Sequence, residues 1–294
     1  MNSRMARRAL LTLSAAALIG GGASAQTAST QEGWFGGVDF LFLSPKISEA
    51  GVASIFFWDG LASASQYGGS LSSPLNFAQR VFVGYQGDGG GGAQVRWFTF
   101  DNTVDYVGEV NEGGPPIQLF GSTQLEVDAV DLELLQRGNF ANWNWMGTAG
   151  VRIADVSLRE SEINFEDLND FVWGGSTGVQ FQGAGPTLSV QGARPILLDG
   201  LSIFANARTA LLYGDTDWWT AFPSWLGANG GRYTIRDDFV QVWEFQFGLQ
   251  HTKQFEACDM FTGIFWEAQR WESDSGFLGD LGFHGFGVRT GLVY

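Results

Sequence analysis

Between Val242 and Gln250 the chain alternates strictly, with Trp243, Phe245, Phe247 and Leu249 on one side of a period-two repeat and Glu244, Gln246, Gly248 and Gln250 on the other. A strand sends successive side chains to opposite faces, so this spacing builds one apolar face and one that is polar or tiny; helical spacing would mix the two sets. Two further segments repeat the pattern. Leu201, Ile203, Ala205, Ala207, Thr209, Leu211 and Tyr213 share a face opposite Ser202, Asn206 and Arg208, and the chain closes on Phe286, Val288, Thr290, Leu292 and Tyr294 opposite Gly285, Gly287, Arg289 and Gly291. These runs are longer or more regular than the strands of soluble proteins usually are.

Composition narrows what such strands can form. Charged residues make up 16% of the chain, well below the roughly 25% of soluble domains, while aromatics reach 15% and hydrophobics 45%. Disorder is excluded by that apolar content, and a mean hydropathy of -0.01 says that the apolar residues are interleaved with polar ones. Residues 1–25 have the layout of a secretory signal peptide: Arg4, Arg7 and Arg8, an apolar run from Ala9 to Ile19, and the small residues Ala23-Ser24-Ala25, which puts the mature start at Gln26. Beyond it no apolar run is long enough for a membrane helix, which leaves a β-barrel as the membrane option. Removing Arg4, Arg7 and Arg8 from the 16 basic residues leaves 13 against 31 acidic ones, so nucleic acid is not an expected partner. The single cysteine, Cys258, permits no internal disulfide and is expected to be a small packed residue.

The order of strands and connections separates a barrel from a sandwich. Ten strands are predicted, at about 34–43, 77–86, 93–101, 122–136, 142–158, 171–194, 200–213, 236–253, 257–271 and 283–294. Long connections (44–76, 102–121, 159–170, 214–235 and 272–282) alternate with short ones, as in bacterial outer-membrane barrels. The expected fold is therefore an all-β, antiparallel up-and-down transmembrane barrel of ten strands over residues 26–294, with twelve as the alternative if 171–194 is a hairpin. Within 171–194 the apolar residues change parity, from Val179 and Phe181 to Leu188 and Val190, which predicts a β-bulge across Gly183-Ala184-Gly185-Pro186.

Alternation also nominates the residues lining the lumen. Arg80, Arg96, Arg152, Arg208 and Arg289 are assigned to it, with Glu126, Asp128, Glu133, Glu244 and Glu267 supplying the opposite sign. They could pair and plug a narrow barrel, or form a charged constriction. Trp218, Trp219, Phe222 and Trp225 make the connection 214–235 unusually apolar, so that it could enter the lumen as a constriction loop, contact a partner or lipopolysaccharide, or pack on the rim. The histidines His251 and His284 are expected near strand ends at the membrane interface. Asp215, Asp217, Asp237 and Asp238 cluster without a histidine and read as a solvated or ion-binding rim, and Gly89–Gly92 lacks the Lys and Ser/Thr of a phosphate loop. No catalytic residue, metal site or cofactor is nominated.

Gly183-Ala184-Gly185-Pro186 ahead of an alternating strand, Gly200-Leu201-Ser202 leading to Leu211-Leu212-Tyr213-Gly214, Gly150-Val151-Arg152, and the glycine-rich last strand ending on an aromatic residue together span roughly 145–294. In these pieces the chain resembles the pore-forming outer-membrane proteins related to the Legionella major outer membrane protein. The resemblance implies an outer-membrane barrel with pore-forming activity and no cofactor, and it transfers no catalytic residues. The expected function is passive diffusion of small hydrophilic solutes or ions, against a non-conducting structural or adhesive surface barrel, with an outer-membrane hydrolase third. Expected partners are outer-membrane lipid and lipopolysaccharide, the transported solutes, and the barrel assembly machinery, for which Tyr294 would be the C-terminal signal.

Overall fold

The structure, a computed structural model, describes residues 32–294 apart from 49–53, 58–62, 67–70, 73, 111–116, 168–169, 197, 222–229 and 276–279. Ten long antiparallel strands close into a barrel: β1 (Gly33–Ser48), β5 (Asn76–Gln86), β6 (Gly91–Val110), β7 (Ile117–Phe140), β8 (Trp143–Asp167), β9 (Asp170–Pro195), β10 (Leu201–Ala221), β11 (Arg232–Gln254), β12 (Asp259–Ser273) and β13 (Asp280–Val293). Three short strands, β2 (Ser54–Phe57), β3 (Ser63–Gln66) and β4 (Leu71–Ser72), lie between β1 and β5. Each long strand pairs with its sequence neighbours, and β13 pairs back onto β1 from Phe35↔Val293 to Ser48↔Asp280. Closure leaves no edge strand, although β6 beyond Phe100 and β11 before Val240 extend past their partners β5 and β12 and are paired there on one side.

One end of the barrel carries the tight turns, the start of β1 and the end of β13. Between β7 and β8, Ala141 and Asn142 both have positive φ, 50° and 64°, the left-handed pair that matches the twist of a two-residue hairpin. The connections at the other end are the longer ones, but shorter than the sequence suggests. β6 continues to Val110, β7 begins at Ile117, β8 reaches Asp167 and β10 reaches Ala221, so most of 102–121, 159–170 and 214–235 is ladder. At 24 residues, β7 spans roughly 60 Å along the barrel axis at the usual rise and tilt. A lipid belt takes only about 25 Å of that, so roughly half of the strand stands clear of the membrane.

That boundary inverts the wall. On β7, Leu132 and Leu134 are exposed on the outside near the tight turns, whereas further up Leu125, Val127 and Ala129 are buried on the inside. On β9 the pair of sets is Leu188 and Val190 outside, Val179 and Phe181 inside. The pairing of β9 with β8 runs without a shift from Asn144↔Ala193 to Asn164↔Trp173, so the expected bulge at Gly183–Pro186 is absent. The phase stays constant; what changes side is the apolar set, because the outer surface faces lipid below and water above. Register shifts in this part of the sheet lie elsewhere, between β8 and β9 beyond Asn164 and between β10 and β11 at Gly214/Thr216, where Asp237 has φ 64°.

The upper interior is a dry core to which every long strand contributes, including Leu41, Phe98, Val127, Val156, Leu212 and Phe283. Gly287 on β13 makes room for it. A Cβ there would fall 2.5 Å from the Phe265 ring and 2.7 Å from Leu41.

Candidate functional site

Below the apolar core, still inside the barrel, the strands place a layer of charge at nearly one level. The register produces it: Asp39 of β1 lies directly beside Arg289 of β13 and Arg80 of β5, Asp131 of β7 lies beside Arg96 of β6 and Arg152 of β8, and Arg208 of β10 lies beside Glu244 of β11 in the ladder. Directly paired strand positions bring side chains of one face into contact, so opposite charges meet without distortion.

The contacts link most of the circumference. Arg289 donates from Nε and Nη2 to Asp39 at 2.7 and 2.9 Å, and Arg80 reaches Asp39 at 3.1 Å and Glu267 at 2.5 Å. Arg152 forks onto Asp131 at 2.6 and 2.9 Å, and Arg96 reaches Asp131 at 3.0 Å. Glu244 is the hub, accepting Arg96 at 2.5 Å and Arg152 at 2.6 Å with Arg80 and Arg208 each at 3.9 Å. Arg208 donates to Glu133, which also accepts from Thr148 and Gln94. Aromatic faces cover the guanidiniums from the side: Arg289 lies 5.1 Å from the Phe265 ring centre and Arg152 5.7 Å from that of Trp271. Each acid and arginine of the layer is at least nine-tenths buried. Buried charges are tolerable when paired in this way, and removing one member strands its partners. Arg80 Nε, Arg152 Nη1 and Arg208 Nε have no hydrogen-bond partner in the layer.

Between this layer and the tight turns the interior opens into a cavity of about 200 Å³. Its roof includes Arg80, Arg96, Arg208 and Arg289; its wall carries Gln94, Asn206, Gln246 and Gln250; and Arg137 lines it near the mouth, 4.7 Å over the Phe35 ring.

The residues nominated from sequence thus separate into two groups. Arg80, Arg96, Arg152, Arg208, Arg289, Glu133, Glu244 and Glu267 lie together inside the barrel. Glu126 and Asp128 do not: they alternate with the buried Leu125, Val127 and Ala129 and therefore face outward above the lipid belt. There Gln124 donates to Glu126 at 2.6 Å and to Asp101 at 3.4 Å. Treating the polar face as the lumen face along the whole strand misplaces them, because the faces exchange polarity at the membrane boundary. Asp39 and Asp131 complete the layer and were not nominated. Each does alternate with exposed apolar neighbours, Phe40 and Phe42 or Leu132 and Leu134, which is the sequence signal that would have found them.

Trp218 and Trp219 are corrected from loop to strand, since both belong to β10. Trp218 turns inward against the apolar core, and Trp219 lies outward over Gly178, where a Cβ would come within 2.7 Å of the indole. Phe222 and Trp225 lie outside the described residues. Asp238 faces inward and accepts from Thr216, Ser273 and Ser275. His251 and His284 are exposed on the outer face, and Cys258 is half-buried in the turn between β11 and β12. The backbone N–H of Tyr294 donates to the Trp34 carbonyl at 2.7 Å, holding the C-terminus to the closing seam.

A closed antiparallel barrel with an exposed apolar belt, tight turns at one end and extended strands at the other is an integral outer-membrane protein. Over residues 27–273 the sequence matches the model of the Legionella pneumophila major outer membrane protein precursor family, and the chain belongs to that family. No curated protein matches the sequence. Among solved structures, the outer membrane protease OmpT from Escherichia coli is similar with a TM-score of 0.53 at 11% identity, covering 92% of this chain and 98% of that one. A TodX mutant described as a monoaromatic hydrocarbon channel gives 0.34 at 8% identity, covering 90% of each chain. At such identities the OmpT likeness concerns the fold alone.

Proposed function

We propose that this protein is a non-conducting outer-membrane barrel, structural or adhesive in role, which acts through the half of its wall that stands outside the membrane. The observation that carries this reading is the filling of the cross-section by two successive layers, the ion-pair layer and the apolar core, both built from strand side chains. A loop folded into a lumen can swing aside. Strand side chains packed in a closed wall open a path only if the wall itself repacks. Purified, folded protein in a planar bilayer should show no stepwise conductance above the bare membrane, and stable open-channel steps would refute the reading.

The cavity below the arginines favours a second reading, a passive pore for small hydrophilic solutes or ions that rests in a closed state. In that case the arginine layer is the selectivity element, and Arg208→Glu should move the reversal potential toward cations in whatever conductance is seen. A hydrolase is the third reading, which a peptidase assay on the folded protein tests. Export belongs to all of them: cleavage before Gln26, a mature barrel over 26–294, insertion by the assembly machinery with Tyr294 as its signal, and contact with lipid and lipopolysaccharide. N-terminal sequencing of the membrane-extracted protein tests the cleavage, and a start at Met1 would exclude it.

A further inference from the structure

The cavity at the tight-turn end is built asymmetrically. Arg80, Arg96, Arg137, Arg208 and Arg289 line it, whereas among its described lining residues there is no Asp or Glu. The acids of the layer are buried under their arginine, glutamine and threonine partners, as Glu133 is under Arg208, Gln94 and Thr148, so none of them lines the cavity. Arg137 adds a charge that no acid of the layer balances: it stacks on Phe35 and has no carboxylate partner among the described residues. Between the arginines stand the amides of Gln94, Asn206, Gln246 and Gln250. A cavity wall of arginines with no carboxylate among its described lining residues, beside side-chain amides, is the chemistry that binds a small oxyanion.

We propose that this cavity is a binding site, open at the tight-turn end, for a small carboxylate- or phosphate-bearing solute that carries further hydrogen-bonding groups. Its anionic end would sit against Arg137, and its neutral polar part would reach up to Asn206 and the glutamine amides below the arginine roof. The site does not depend on whether the barrel conducts, since it is complete below the layer that closes the lumen. Tight turns face the periplasm in outer-membrane barrels, so the ligand would come from that compartment.

The test is calorimetric titration of the purified, folded barrel in detergent micelles at fixed ionic strength. The probes are inorganic phosphate and succinate, with glycerol and ethylenediamine as neutral and cationic controls. Saturable binding of phosphate, succinate or both is expected, and of neither control. A response to phosphate alone assigns a phosphate-bearing ligand, and one to succinate alone a carboxylate-bearing ligand. Arg137→Gln should weaken that binding at least about tenfold, as loss of a charge-assisted contact does. It lies outside the ion-pair layer, so its heat-shifted band on gels should be unchanged. If that variant does not fold, Gln250→Leu at the same wall should weaken binding in its place. The proposal is overturned if neither oxyanion binds saturably, if the controls bind as well, or if the folded variant binds like the parent.

Discussion

Glu244 shows how much of this barrel rests on single side chains. It holds two arginines at 2.5–2.6 Å and stands near two more, so neutralising it leaves the buried guanidiniums in excess. Glu244→Gln should lower stability by about 3–5 kcal/mol, the scale for breaking one member out of a buried ionic cluster. The urea midpoint of the heat-shifted gel band measures this. A change below about 1 kcal/mol would mean that water reaches the layer and screens it. Steric limits act at the same scale on β13. Gly287→Val places methyl groups where Phe265 and Leu41 already touch, and overpacking of that kind costs about 1–3 kcal/mol. An unshifted midpoint would show that this part of the core has slack.

At the scale of the strand, the inversion of polarity along β7 makes a labelling prediction. In a Cys258→Ala background, Asp128→Cys should react with an impermeant thiol reagent on intact cells, while Val127→Cys, one position away and inside the core, should not. The reverse result would shift the whole strand by one residue. A second prediction concerns the extension shared by β10 and β11 above the belt. Asp217 there accepts from Thr234 at 2.5 Å and Arg232 at 2.6 Å, and those hydrogen bonds hold its carboxyl below the ordinary range. A depressed acid adds stability that is fully present above the unfolded value near about 3.9 and fades as the pH falls through the lower native one. Amide exchange around Thr234 should therefore quicken in that acidic window, and Asp217→Asn should remove the dependence. Strand identity and pairing order were legible because period-two alternation marks a lipid-facing wall, as Trp243 to Leu249 show. The strand ends at 102–121 and 214–235 were not, because Asp105 or Asp217 in a water-washed ladder looks like loop in sequence while the backbone hydrogen bonds continue. The arginines of the layer were likewise legible beside Ile153 or Leu211, whereas Glu126 and Asp128 lay past the boundary where the rule changes sign.

For the molecule as a whole, the charge is divided between two environments. The formal net charge of -15 comes from an acidic excess that includes outward residues such as Asp101, Glu126, Asp128 and Asp215, while the interior layer is balanced, Arg80, Arg96, Arg152, Arg208 and Arg289 against Asp39, Asp131, Glu133, Glu244 and Glu267. Exposed like charges repel and are screened by salt, whereas buried pairs are screened far less. The folded barrel should thus gain stability between about 10 mM and 0.3 M salt, and the penalty of Glu244→Gln should stay nearly constant over that range. A penalty that vanished with salt would place the layer in contact with solvent. The seam between β1 and β13 joins the two ends of the chain, and it is there that Asp39 meets Arg289. Zipping that seam one residue out of step would turn the arginine toward lipid, at about 2–4 kcal/mol near the midplane. A two-residue slip would keep the facing but set Asp39 beside a glycine, Gly287 or Gly291. Closure therefore selects its own register, because a barrel joined out of step either turns a charge toward lipid or loses the Asp39–Arg289 pair and is the less stable product.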